Sequence, residues 1–184
     1  MVEFRGWPKI ARLNREVIIT EKIDGTNACV IVTDDGEVHA QSRKRLIFPY
    51  DDNFGFATWV EKNAERLREG LGVGYHFGEW YGSGIQRKYG MTDRRFALFN
   101  VGRWGALDTF PHLEDNSLTL VPTIAQCYFH TEAIETILSD LEENGSLVAG
   151  GLGFPKPEGI VVYHKAGNVA FKVTIEDDEK PKGG

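Results

Sequence analysis

A lysine two residues ahead of an Asp-Gly pair, in "TEKIDGTN" (residues 20–27), offers a nucleophile at the end of a β-branched run. A lysine amine attacks only when neutral, and with an ordinary pKa near 10.4 about one in a few thousand is neutral at pH 7. Bringing it to about 7–8 takes roughly 3–5 kcal/mol of preference for the neutral form, from partial burial, a metal or a neighbouring cation. Asp24 is placed to hold the amine or the backbone, and Gly25 leaves room for a close approach. Glu79 in "FGEWYG" and Glu158 in "PEGIVVY" sit at strand ends beside glycine. Carboxylates there are costly unless paired, hydrogen-bonded or metal-bound, or unless they simply face solvent. Lys172 in "AFKVT" reads by default as an outward strand lysine, and Arg43 in "QSRKR" as a basic turn or a phosphate contact.

Other chemistries find no footing. The five histidines (39, 76, 112, 130 and 164) have no metal-ligand spacing, and neither a GxSxG elbow nor a GxxxxGK[ST] loop occurs. "GVGYHFG" leads into a strand-like aromatic segment, not the helix that a dinucleotide loop requires. Cys29 and Cys127 each lie beside apolar residues and read as buried free thiols.

The elements that must position these groups follow from periodicity. Residues 16–21 and 28–33 read as strands, and "DDG" (34–36) turns into a third at 37–41. A helix is expected from about Asn53 as N-cap, with Ala57, Val60, Ala64, Leu67 and Leu71 on one face and Gly70 and Gly72 closing it. Strands follow at 74–82 and 95–101, then an irregular stretch over 105–130. A second helix is expected over 131–145, with Thr131 as N-cap and Gly145 beyond its end. A glycine- and proline-rich loop (148–158) leads to a hairpin of strands 159–164 and 168–174. Adjacent hairpin strands without regular helix alternation give an α+β fold of largely antiparallel sheet.

With 184 residues, 41% hydrophobic and 26% charged, the chain is of a size for one domain, expected over residues 1–175 with a polar tail at 176–184. No second domain, OB-fold or other, is expected beyond it. There is no apolar run of 18 residues and no signal-peptide core, so a cytoplasmic protein without membrane contact is expected. A net charge of −6 argues against a protein that coats nucleic acid non-specifically. Base nevertheless collects at "SRKR" (42–45), "QRK" (86–88) and "DRR" (93–95), as suits a small phosphate-bearing ligand or a short nucleic-acid end.

In this order the segments resemble the motifs of the covalent nucleotidyltransferase superfamily, which comprises ATP-dependent RNA and DNA ligases and mRNA capping enzymes. "EKIDGTN" is similar to the K-x-D-G nucleophile motif, its Thr26-Asn27 being most like RNA ligases that seal nicked or double-stranded ends. "QSRKR", "FGEWYG", "FALFNV", "PEGIVV" and "AFKVT" resemble the motifs that follow, and the lead-in "WPKIARL" is similar to small phage-encoded RNA-ligase-like proteins. The resemblance spans residues 20–174. It implies a nucleotidyltransferase (ATP-grasp-like ligase adenylation) domain of antiparallel sheets flanked by helices.

The resemblance also implies roles. Lys22 is the residue that takes AMP from ATP. Its neighbours Glu21, Ile23 and Asp24 line the nucleotide site, Arg43 contacts ribose or phosphates, Glu79 holds the ribose, and Phe99 stacks on adenine. Asn27 and Glu158 organise Mg²⁺ or Mn²⁺, and Lys172 offsets charge near the α-phosphate. The partners implied are RNA ends, a 5′-phosphate and a 3′-hydroxyl, including those of a nicked duplex. Two positions depart from the pattern: Asn100 replaces an aspartate, and Thr174 the second lysine of Lys-x-Lys. Arg87 or Lys88 are candidates to supply the missing charge. A DNA ligase, a capping-type enzyme, or a nucleotide- or RNA-end-binding protein without full ligase activity are the alternatives.

Overall fold

The structure is a computed structural model and describes residues 2–105, 111, 113, 115–148 and 156–176. In chain order the elements are β1 (Glu16–Lys22), β2 (Thr26–Val32), β3 (Val38–Ser42), β4 (Leu46–Ile47), α1 (Phe56–Lys62), α2 (Ala64–Leu71), β5 (Gly74–Gly82), β6 (Arg94–Leu98), α3 (Val101–Trp104), β7 (Leu118–Leu120), β8 (Thr123–Tyr128), α4 (Thr131–Asn144), β9 (Gly159–His164) and β10 (Val169–Thr174). They form a four-stranded sheet ordered β10-β9-β1-β8 and a six-stranded sheet ordered β4-β3-β2-β5-β6-β7. The named strand pairs are antiparallel except β6 with β7. The expected α+β architecture is therefore observed. Among the described residues no helix is long and apolar enough to cross a membrane.

Strand alternation assigns the faces. In the six-stranded sheet Ala28, Val30, Val32, Trp80, Phe96 and Leu98 pack on Phe56, Trp59 and Val60 of α1 and on Leu67 and Leu71 of α2. The alternate positions, Asn27, Phe77, Glu79 and Phe99, look the other way and line a cleft. In the four-stranded sheet Val17, Ile19, Ile160 and Val162 pack on Leu141, Ile134, Ile137 and Leu138 of α4. Ile18, Thr20, Lys22, Val161, Tyr163 and Ala170 line the same cleft from that side. Thus the helices cover the outer faces, and the chemistry-bearing residues meet between the sheets.

Several expectations change. The helix from Asn53 is two short helices broken at Asn63, whose amide nitrogen donates to the Trp59 carbonyl at 2.9 Å. The first helix starts at Phe56 after Gly55 as N-cap, and the carboxylate of Asp52 accepts from the Ala57 and Thr58 amides at 2.7 and 3.0 Å. Gly70 lies inside α2, where a Cβ would collide with Pro111; Gly72 ends that helix.

The strand expected over 95–101 ends at Leu98, because Asn100 caps a helical turn by accepting from the Arg103 amide at 3.0 Å. The stretch 105–130 is not wholly irregular. It supplies β7 and β8 on either side of Pro122, whose carbonyl accepts from Glu21 N at 2.9 Å. The N-cap of α4 is His130, with Thr131 the first helical residue. The tail beyond Glu176, His112 and residues 149–155 of the glycine-rich loop lie outside the described residues.

Candidate active site

β1 delivers Lys22 to the end of the cleft, and β9 delivers the segment that meets it. Lys22 pairs with Gly159 across the β1–β9 ladder, and Glu158 immediately precedes Gly159. Lys22 Nζ lies 2.6 Å from Glu158 Oε2, with the lysine side chain 20% exposed and the carboxylate nearly enclosed. At Gly159 (φ 148°) a Cβ would strike the Val173 carbonyl oxygen, so only glycine lets β9 enter between β1 and β10 here.

Glu79, on β5, faces Asn27 in the β2–β5 register. Its Oε2 accepts from Asn27 Nδ2 at 2.9 Å and its Oε1 from Gly25 N at 3.1 Å. Burial pushes the Glu79 carboxyl up to about 7, against the opposing pull of Lys22 and of the Asn27 and Gly25 hydrogen bonds. Gly25 leaves its room to the protein and not to an incoming ligand: a Cβ there would lie 2.5 Å from the Trp80 carbonyl oxygen of β5.

Beneath the Asp-Gly turn sits a loop that the sequence marked only as basic. Arg87 Nε donates to Asp24 Oδ2 at 3.1 Å and its Nη1 to the Lys156 carbonyl at 3.0 Å. One guanidinium thereby ties the residue two beyond Lys22 to the residue two before Glu158. Its loop carries three non-glycine residues with left-handed φ, namely Gln86 (41°), Lys88 (60°) and Tyr89 (49°). Such residues cost about 1–3 kcal/mol each and persist only where the surroundings enforce them. Here Ile85 and Tyr89 are buried, and the Tyr89 hydroxyl accepts from Asp24 N at 2.6 Å. Burial pushes the Tyr89 phenol far above its ordinary range, so it stays protonated.

The cleft is about 570 Å³ in volume and is lined by Lys22, Asn27 and Glu79 at one end and by Phe77, Phe99 and Tyr163 beyond them. Phe99 is 43% exposed, its ring open to a ligand. Of the anticipated residues, Glu21, Lys22, Ile23, Asn27, Glu79 and Phe99 line the cleft, and Glu158 joins them through Lys22. Glu21 contributes differently from its neighbour. Its carboxylate is buried and accepts from Ser146 Oγ and from Leu147 N (2.8 Å), so it ties β1 to the segment after α4. Ile23 packs with Tyr81, Tyr89, Ala97, Val121 and Val148 beneath the turn.

Asp24, Arg43 and Lys172 are not among the cleft-lining residues; Asp24 is instead held by Arg87. Arg43 is exposed in the turn between β3 and β4, and Lys172 is exposed on β10 opposite Val161, on the cleft side of the sheet. Cys29 is buried and its thiol is pushed up to about 11 by burial; Cys127 is half-buried, and both are free. Tyr75, Phe77 and Arg103 are additional cleft residues. Period two in "GYHFGEWYG" already puts Tyr75 and Phe77 on the face of Glu79, so the first two were legible; Arg103 was not.

The family model for RNA ligase matches residues 15–174. The chain belongs to the RNA ligase family. No curated protein matches it. Among solved structures it is similar to RNA ligase variants from Naegleria gruberi. One with ATP and Mn has a TM-score of 0.65 and 22% identity over 89% of this chain and 51% of that one. Another, with AMP and Mn, has a TM-score of 0.63 and 22% identity over 88% and 50%. This likeness carries the fold, and the chain spans about half the length of those ligases.

Proposed function

We propose that residues 1–175 are the nucleotidyltransferase domain of an ATP-dependent RNA ligase with Lys22 as its covalent nucleophile. The observation that carries this reading is the Lys22 amine at the cleft end, 2.6 Å from the enclosed Glu158 and beside the buried Glu79. Within hydrogen-bonding distance, Glu158 is positioned to take the amine's proton, and the neutral nitrogen then attacks the α-phosphorus of ATP. The bond from that phosphorus to the bridging oxygen breaks, pyrophosphate leaves, and a lysyl-N-AMP phosphoramidate remains. A 5′-phosphate oxygen next displaces Lys22 from the AMP phosphorus, and a 3′-hydroxyl finally displaces AMP to form the phosphodiester.

Each side chain has work it can do from where it stands. Phe99 offers a face for adenine, and such stacking is worth about 1–3 kcal/mol per base. Glu79, fixed by Gly25 and Asn27, presents a carboxyl for the ribose hydroxyls. Arg43 and Lys172 offer positive charge from the rim. Asn27 and Glu158 would hold a divalent cation. Their hard oxygen donors suit Mg²⁺ or Mn²⁺, which take the remaining ligands from phosphate and water, although among the described residues no group of three or more His, Cys, Asp or Glu could hold a metal. When bound, the cation supplies charge neutralisation at the phosphates.

The test is incubation with ATP labelled at the α-phosphate, with Mg²⁺ or Mn²⁺. One covalent AMP per chain is expected, acid-labile, hydroxylamine-sensitive and absent in Lys22→Ala. Equal absence of label in wild type and variant overturns the reading. A second reading, a nucleotide- or RNA-end-binding protein without transfer, is favoured by one observation: Thr174 stands where the family's second lysine is usual. ATP binding without label would support it. Sealing of matched RNA and DNA nicks then decides the acceptor.

A further inference from the structure

The turn after β3 builds a rigid corner of which the cleft chemistry uses only Arg43. The Ser42 amide and hydroxyl both donate to the Arg45 carbonyl, at 2.8 and 3.1 Å. Arg45 in turn forks onto Asp51 with contacts of 2.6 and 2.9 Å. Asp51 N donates to the Phe48 carbonyl at 2.9 Å and closes a turn in which Pro49 fixes its own φ. This brace displays two aromatic rings side by side. Phe48 and Tyr50 stack with centroids 5.3 Å apart and planes within 1°. Phe48 is 41% and Tyr50 86% exposed, so the pair lies in water instead of in the core.

The corner stands at the active end of the six-stranded sheet. Ser42 pairs with Ala28, next to Asn27. Further along, Asn53 Nδ2 donates at 3.1 Å to Oγ1 of Thr26, the residue that follows the Asp-Gly turn. Arg43 and Lys44 are exposed in the turn that Arg45 ties to Asp51, the neighbour of Tyr50, and make no ion pair among the described residues, whereas Arg45 is neutralised by Asp51. On a chain of net charge −6 this is a local surplus of positive charge around flat apolar rings. A purely apolar partner would leave both cations without a counter-charge. A single nucleic-acid strand alternates flat bases with anionic phosphates and matches both features.

We propose that the 43–50 corner is a docking ledge for single-stranded RNA beside the nucleophile turn. An unpaired base stacks on the open face of Tyr50, and Lys44 takes an adjoining phosphate. The inference rests on reading the Lys22 cleft as an RNA-joining site, but its test is separable from that reading. Fluorescence anisotropy with a short labelled RNA strand, and with a blunt RNA duplex of equal length, compares wild type, Tyr50→Ala, Tyr50→Phe and Lys44→Ala. Tyr50→Ala is expected to weaken single-strand binding about tenfold and duplex binding less than twofold. Tyr50→Phe, which keeps the ring, should bind as wild type does.

Lys44→Ala is expected to reduce the slope of log affinity against log salt by about one. AMP transfer to Lys22 should remain within twofold in the Tyr50 variants. Unchanged single-strand binding in Tyr50→Ala, or equal weakening of strand and duplex, overturns the ledge. If wild type takes no AMP but the Tyr50 dependence holds, the ligase reading falls and the ledge stands.

Discussion

Lys22 and Thr174 occupy matching positions two strands apart, each paired with Gly159 of β9. At strand spacings near 4.8 Å their backbones are about 10 Å apart. A lysine at 174 would therefore place a second ammonium close to Lys22, where two unit charges interact by about 1–2 kcal/mol at an effective dielectric near 20. That charge favours the neutral Lys22 amine and also attracts the α-phosphate. Thr174→Lys is expected to raise the single-turnover rate of AMP transfer by about three- to tenfold, with the gain shrinking in high salt. An unchanged or lower rate would show that the threonine is not the deficit its position suggests.

Arg87 links the two segments that bear Lys22 and Glu158. Arg87→Lys keeps the charge, but a lysine cannot reach Asp24 and the Lys156 carbonyl together with the same fork. Hydrogen bonds to charged groups contribute about 1.5–3 kcal/mol. The expected outcome is a fall of about tenfold or more in the rate of AMP transfer, with the apparent KM for ATP within twofold of wild type. A parallel loss of ATP affinity would instead place Arg87 on the nucleotide.

Glu79 makes stability depend on pH in a defined direction. Its carboxyl is raised in the folded state from 4.5 to about 7, chiefly by burial, so the folded chain holds this proton more tightly than the unfolded one. The contribution is intact below about pH 4.5 and is lost as pH rises through about 7, amounting to about 3 kcal/mol at most. Urea unfolding of wild type and Glu79→Gln should give similar stabilities near pH 4. By pH 8 the variant should be the more stable, and a gap that widens toward low pH would contradict the burial account.

Much of this arrangement was legible before the fold was seen, because local signals carried it. Period-two runs placed β1, β2, β3, β5 and the β9–β10 hairpin within a residue or two of their bounds and put Glu79 at a strand position, whereas Lys22 and Asn27 were read just outside the strands that in fact include them. Contacts distant in sequence were not legible. Strand β8 takes its partner from β1, more than a hundred residues earlier, and the short β7 pairs in parallel with β6. The Arg87 bridge likewise joins residues 24, 87 and 156, and its signal, a basic triplet in a glycine-flanked loop, says nothing of its partners. Glu21 shows the converse: one residue from Lys22, its carboxylate belongs to the opposite face of the strand.

Gly25 tests whether the Asp-Gly turn is a packing device as well as a chemical one. Its ideal Cβ position lies 2.5 Å from the Trp80 carbonyl oxygen and 2.9 Å from the Tyr81 Cβ, both on β5 and neither at the flexible end of a side chain. Gly25→Ala must therefore push the turn off β5, stretching the 3.1 Å bond from Gly25 N to Glu79 and the 2.6 Å bond from Asp24 N to Tyr89. Overpacking of this kind costs about 1–3 kcal/mol, and a stretched bond to a buried carboxylate adds to it. Thermal unfolding should show a clear drop in midpoint, and AMP transfer should fall at least tenfold even where the variant is fully folded. A variant as stable and as active as wild type would mean that the turn yields freely, and that Glu79 is held by Asn27 alone.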